Sequence, residues 1–123
     1  MAFSFHRLPL GICNCFLLRG DRTILIDAGA QGSIRAFTKG LKKLNVDPKE
    51  ISLVLLTHGH WDHIGTLHPI QGLTGAKVAV HHRDQAWMET GKPEFPNGVN
   101  GYGRAMSALA RTLLKINLPP VKV

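Results

Sequence analysis

The segment from Ser52 to Thr57, SLVLLT, is a continuous apolar run of strand length that ends directly in Thr57-His58-Gly59-His60-Trp61-Asp62-His63. An uninterrupted apolar strand belongs inside a sheet covered on both faces, which commits the chain to a layered architecture built around that strand. The same run places His58, His60, Asp62 and His63 at the strand's C-terminal end. Residues two apart in an extended or turning segment project to the same side, so His58 and His60 can reach one cation, and Gly59 permits the tight backbone path between them. Asp62 and His63 lie after the turn and can serve a second cation nearby.

Around that strand the pattern alternates between short strands and helices. Residues 12 to 19 and 23 to 28 are β-branched and apolar runs about a Gly20-Asp21 turn, which predicts a hairpin whose second strand ends in Asp27-Ala28-Gly29. From Ser33, a suitable N-cap, Ile34, Phe37, Leu41 and Leu44 fall at helical spacing, with Lys39, Lys42 and Lys43 on the solvated face. Asp47-Pro48-Lys49-Glu50 carries the cap, the proline and the acidic residue of one short helical turn. Residues 64 to 72 read as a short helix, 77 to 82 as a strand and 83 to 90 as another helix. The order β-β-α-β-α-β-α puts the chain in the α/β class, as a single domain over residues 1–123. Gly91 to Gly103, rich in glycine, proline and asparagine, predicts a loop or lid. Ala105 to Ile116 predicts an apolar-rich helix closed by Asn117 and Pro119-Pro120.

Composition narrows the function classes. Of 123 residues 44% are hydrophobic, enough for a genuine core, which excludes a disordered or low-complexity chain. The formal net charge of +7 would attract acidic partners, but apart from three lysines the cations are dispersed and no nucleic-acid-binding module accompanies them. A small-molecule substrate is therefore expected, and no nucleic acid. Leu8 to Leu18 is apolar and follows Arg7, yet Asn14 interrupts it and no small-residue cleavage site follows, so it does not read as a leader. No stretch approaches the roughly 20 apolar residues of a membrane span. Cys13 and Cys15, two apart in a strand, point to one face as small buried residues, and two thiols without a disulfide framework fit a reducing cytoplasm.

Imidazole nitrogens with a carboxylate suit zinc above all, with iron, manganese or nickel as substitutes. Such a cation lowers the pKa of bound water to about 7 and makes hydroxide available at neutral pH. Asp62, placed between the two pairs, is the candidate catalytic residue, as a ligand of the second cation or as the acceptor that holds the attacking hydroxide. His6, His68, His81 and His82 fall in no ligand motif and read as structural or solvent-facing. Trp61 reads as packing or pocket wall.

The segment from His58 to His63 resembles the His-x-His-x-Asp-His signature of the metallo-β-lactamase superfamily. Leu25-Ile26-Asp27-Ala28-Gly29 is similar to that family's strand-end Asp-x-Gly element, and Asn14-Cys15-Phe16-Leu17-Leu18 to the early strand before it, so the resemblance covers residues from about 12 to 90. It implies the N-terminal half of an αββα sandwich with a binuclear zinc site, in which His58 and His60 bind the first metal and Asp62 and His63 the second. Asp27 is implied to stand behind them, orienting ligands or the motif loop; from the residues alone it serves equally as an Asx turn capping the strand-to-helix connection. The family's third histidine, bridging aspartate and last histidine come from the later half of the fold, and no histidine follows His82 here. The expectation is a truncated domain, its C-terminal half absent, that exposes apolar surface.

The implied activity is hydrolysis of an ester, thioester or lactone by metal-bound hydroxide. The alternatives are a catalytically incomplete fragment or binding remnant, and a nuclease-type phosphodiesterase suggested by the charge. Histidine at position 60, where di-iron redox relatives tend to carry an acidic residue, favours zinc hydrolysis over redox chemistry.

Overall fold

The computed structural model describes residues 2–91, 100–114 and 118–123. Its strands are β1 (Ser4–Leu10), β2 (Cys13–Arg19), β3 (Thr23–Ile26), β4 (Ile51–Leu55) and β5 (Lys77–Ala79). Its helices are α1 (Ile34–Lys43), α2 (Trp61–Ile64), α3 (Leu67–Thr74), α4 (Gln85–Thr90) and α5 (Gly101–Leu114), with 3-10 turns at Pro48–Glu50 and His82–Asp84. The strands form one sheet in the order β1-β2-β3-β4-β5. The first three run antiparallel, and β3, β4 and β5 are parallel neighbours joined through helices, which makes this an α/β fold.

The hairpin of β2 and β3 forms as the sequence predicts, with Arg19 opposite Thr23. The strand before it is an addition. Leu8 and Leu10 are buried while Phe5, Arg7 and Pro9 alternate outward, so β1 has the period of a half-buried strand. Pro9 conceals this pattern, because proline argues against a strand unless the strand lies at a sheet edge, which is where β1 sits.

Helix α1 follows the predicted spacing, burying Phe37 and Leu41 and exposing Lys39, Lys42 and Lys43. Ser33 occupies the N-cap without capping through its side chain; its hydroxyl donates instead to the Ala30 carbonyl at 2.7 Å. The Asp47 turn is a full capping box: the Asp47 carboxylate accepts from the Lys49 N–H at 2.9 Å, and Glu50 reaches back to the Asp47 N–H at 3.3 Å.

The helix expected over 64 to 72 is instead two, α2 and α3, broken at Gly65-Thr66. The Gly65 N–H donates to the Gly29 carbonyl at 2.8 Å and the Thr66 N–H to that of Ala28 at 3.3 Å, so the loop after β3 takes the donors a continuous helix would use. A Cβ at Gly65 would collide with the backbone of Ala30 and Gln31, so only glycine lets the two segments approach. Strand β5 ends at Ala79, two residues past its first, and the helix predicted from 83 divides into the His82–Asp84 turn and α4. Within the predicted loop from Gly91 to Gly103, residues 92–99 lie outside the described residues, while Gly101 to Gly103 already belong to α5. The predicted helix end at 115–116 also lies outside them.

Helices α1 and α3 pack on one face of the sheet, where Leu17, Leu25, Val54, Phe37, Leu41 and Ile70 are at most 1% exposed. Burying side chains of this size contributes about 1.5–3 kcal/mol each. The opposite face is open. The rows Phe16–Ile26–Leu55 and Leu18–Ile24–Leu53 lie there by strand register, with Phe5 stacked on Phe16 at 5.1 Å. Leu55 is 42% exposed and Phe5 58%, so β4 is covered on one face rather than on both. An apolar patch of this kind promotes association. Residues 1–123 purified alone should self-associate with rising concentration in sedimentation velocity and bind a hydrophobic dye. Phe5→Ser with Leu55→Ser should reduce both, and a dye-free monomer at all concentrations would contradict the open face.

Candidate metal centre

Strands β3 and β4 run parallel side by side and end together, and the centre is built where they stop. The Asp27 N–H donates to the Leu55 carbonyl at 2.9 Å, extending the pairing by one step, and the chain then turns with Asp27 at φ +65°. Aspartate tolerates this left-handed conformation better than most residues, and the turn aims its carboxylate across to the segment leaving β4.

That carboxylate is 4% exposed and fully engaged. One oxygen accepts from the Thr57 backbone N–H at 2.8 Å, and the Thr57 hydroxyl lies 2.9 and 2.8 Å from the two oxygens. The second oxygen is 3.0 Å from His63 Nδ1. A carboxylate only accepts, so His63 must carry its proton on Nδ1, leaving the Nε2 lone pair for a cation. The same logic reaches His58. With its hydrogen committed to Asp27, the Thr57 hydroxyl accepts from His58 Nδ1 at 2.9 Å, which again leaves Nε2 free. Of the two roles open to Asp27 in the sequence, the geometry shows bonds across to Thr57 and His63 rather than a local Asx turn.

His58, Asp62 and His63 each offer a ligand atom, and these atoms lie within 4.8 Å of one another. Two imidazole nitrogens and a carboxylate oxygen are a donor set that fits zinc or a similar divalent ion. The grouping differs from the pairs implied by the resemblance: Asp62 and His63 join His58, and His60 stands edge-on to His58 with ring centroids 4.5 Å apart. His60 is the N-cap of α2, and its carbonyl accepts from the His63 N–H at 2.9 Å. Burial, and then the neighbouring His63 and His60, hold the His58 pKa below the ordinary histidine value. His58 is therefore neutral at pH 7, as a metal ligand must be.

Two contributors were not visible as such in the sequence. Cys13 is buried on the helix side of β2, as expected, but its Sγ also lies 3.3 Å from His63 Nδ1. Burial, then the Asp27 and Asp62 charges, raise its pKa, so it meets His63 as a neutral thiol. Asp84 accepts from the Gly59 N–H at 3.0 Å, inside the motif. The remaining histidines stay out of the centre: His68, His81 and His82 are exposed, and His81 Nδ1 accepts from the Arg83 N–H at 3.3 Å.

A mixed sheet with helices on one face and a histidine–carboxylate cluster at the ends of two parallel strands defines a metal-binding α/β protein. The chain belongs to the metallo-β-lactamase superfamily, whose family pattern it matches over residues 8–121. It is 30% identical over 99 residues to the Probable metallo-hydrolase YflN of Bacillus subtilis, a match covering 77% of this chain and 37% of that one. The metallo-β-lactamase MIM-1 from Novosphingobium pentaromativorans superposes with a TM-score of 0.69 at 28% identity, over 89% of this chain and 36% of that chain. The Rm3 metallo-β-lactamase shares the fold with a TM-score of 0.74 at 22% identity, over 96% and 40% of the two chains. The chain thus spans less than half the length of these relatives, and its fold corresponds to the N-terminal half of theirs.

Replacing Asp27 by Ala removes the buried acceptor shared by the Thr57 and His63 donors, at an expected cost of about 1–3 kcal/mol for lost hydrogen bonds to a charged group. Chemical denaturation checks this; a loss under 1 kcal/mol would mean the bonds are replaceable by water. Because the folded pKa of His58 is depressed, the unfolded chain takes up its proton first. Stability of the metal-free protein should therefore fall as pH drops below about 6.5.

Proposed function

We propose that this protein is a metal-dependent hydrolase, most suited to zinc, that acts on an ester, thioester or lactone. The observation that carries the reading is the convergence of His58, Asp62 and His63, with ligand atoms within 4.8 Å of one another. When bound, a cation of this kind supplies Lewis acidity and lowers the pKa of water to about 7. His58, Asp62 and His63 would hold one cation, and His60, beside His58, offers a donor to a second.

The protein's own contribution is orientation and proton placement. Asp27 and Thr57 fix both Nδ1 protons on the far side of the rings, so His58 and His63 present Nε2 to the centre without a search among tautomers. Asp62 Oδ2, 3.6 Å from His63 Nε2, adds the negative charge that a divalent cation requires and an acceptor for a water proton during attack on the carbonyl carbon. The family membership supports hydrolysis; the ester, thioester or lactone preference rests on analogy of chemistry. Free Cys13 and Cys15 support a reducing, cytoplasmic setting, and among the described residues no helix is long and apolar enough to cross a membrane.

Elemental analysis of the purified protein should find zinc. Release of p-nitrophenol from its esters, and opening of simple lactones, should require His58, Asp62 and His63. His60→Ala should reduce turnover at least about tenfold, as loss of a metal-site group does. Tightly bound iron with oxygen-dependent turnover and no hydrolysis would overturn the proposal.

A further inference from the structure

The backbone between His58 and His60 is gripped from outside the motif. The grip comes from one face of α4 and the residue that opens it. Asp84 is the N-cap of that helix, a position where an aspartate side chain ordinarily accepts from the helix's own first-turn N–H groups. It makes no such bond here. Its carboxylate Oδ2 instead accepts from the Gly59 N–H at 3.0 Å, 25 residues back in the chain. Trp87 and Met88, three and four residues on and so on the same helical face, close over the same spot. A Cβ built on Gly59 would stand 2.5 Å from Trp87 Cε3, closer than real side-chain contacts allow, and 3.0 Å from Met88 Cε, a tight contact.

The helix that supplies these residues is itself anchored. The Val121 N–H donates to the Met88 carbonyl at 2.9 Å and the Leu118 N–H to the Gly91 carbonyl at 2.8 Å. Leu118 and Val121 are buried in the core at 7% and 4% exposure. The motif backbone is thus held at two points: Asp27 takes the N–H of Thr57, and Asp84 that of Gly59, two residues further on.

We propose that Asp84 is a positioning residue for the metal centre. Its carboxylate, backed by Trp87 and Met88, fixes the peptide between His58 and His60 so that both rings face the same side. Asp84 touches neither substrate nor ligand atoms; it acts through the Gly59 amide. A helix-capping residue diverted in this way explains why Gly59 must be glycine: the amide has to come within hydrogen-bond distance of Asp84 while the ring of Trp87 covers the place of a side chain.

The proposal rests on the functional reading above only in its metal arm. The first arm needs no metal. In Asp84→Ala, hydrogen exchange of the Gly59 amide followed by NMR should accelerate at least about tenfold relative to neighbouring core amides, reflecting a lost charge-assisted bond. Asp84→Asn keeps an acceptor oxygen in place and should stay near the native rate. The second arm reads zinc affinity by competition with a chromophoric chelator: Asp84→Ala should weaken it about 10- to 100-fold, and Asp84→Asn should retain most of it. Gly59→Ala should weaken zinc as well, and Trp87→Ala in the same chain should restore part of the affinity by making room.

Unchanged Gly59 exchange in Asp84→Ala, or zinc affinity in Gly59→Ala equal to the native value, would overturn the clamp. So would Asp84→Asn failing as completely as Asp84→Ala, because charge rather than the bond to Gly59 would then be what matters. Failure of the native chain to bind zinc would count against the hydrolase reading, and the exchange arm would still decide the clamp.

Discussion

One buried carboxylate organises the end of the sheet. Asp27 ties two parallel strands together through its backbone N–H to Leu55, and its side chain collects the Thr57 amide, the Thr57 hydroxyl and His63. Asp27 is 4% exposed, so its carboxylate must find its partners within the protein, and these three donors supply them. The left-handed turn at φ +65° is the local cost of aiming that carboxylate. The pairing at the strand ends, the path of the motif loop and the hydrogen bonds of His63 therefore meet at one residue, the first through its backbone and the others through its side chain.

The sequence carried the centre of the fold clearly and its margins poorly. The SLVLLT strand, the hairpin before it and α1 follow from period and turn chemistry, since those residues are placed by their own neighbours. The first strand was concealed because a proline at a sheet edge costs nothing, and whether a strand lies at an edge is decided by the whole sheet rather than by the strand. The break between α2 and α3 was equally out of reach. It arises because the carbonyls of Ala28 and Gly29 take the N–H groups of Thr66 and Gly65, a pairing between segments more than thirty residues apart.

The site shows the same division. Its candidate ligands are adjacent in sequence, so spacing alone exposed them. What arranges them is distant: Asp27 comes from the preceding strand, Cys13 from the strand before that, and Asp84 from the far side of β5. The Asp-Ala-Gly ending of β3 marked Asp27 as special without showing what it bonds. Asp84 gave no signal, because an aspartate ahead of a short helix already has an ordinary capping explanation. Its side chain forgoes that bond for one to Gly59, which only the packing of α4 against the motif makes available.

The open sheet face and the metal centre are supported by different parts of the chain. The bonds to the His58 and His63 rings come from Asp27, Thr57 and Cys13, with further bonds from the backbone of the loops at the strand ends. The packing beneath them, through Ala28, Thr66 and Ile70 at 0% exposure, lies on the helix side. The rows led by Phe16 and Leu18 lie on the other side and contribute nothing to those bonds. The preorganisation of these histidines is thus written into the same segments that form the helix-covered face. An uncovered second face affects how the chain associates without removing the interactions that aim Nε2 of His58 and His63.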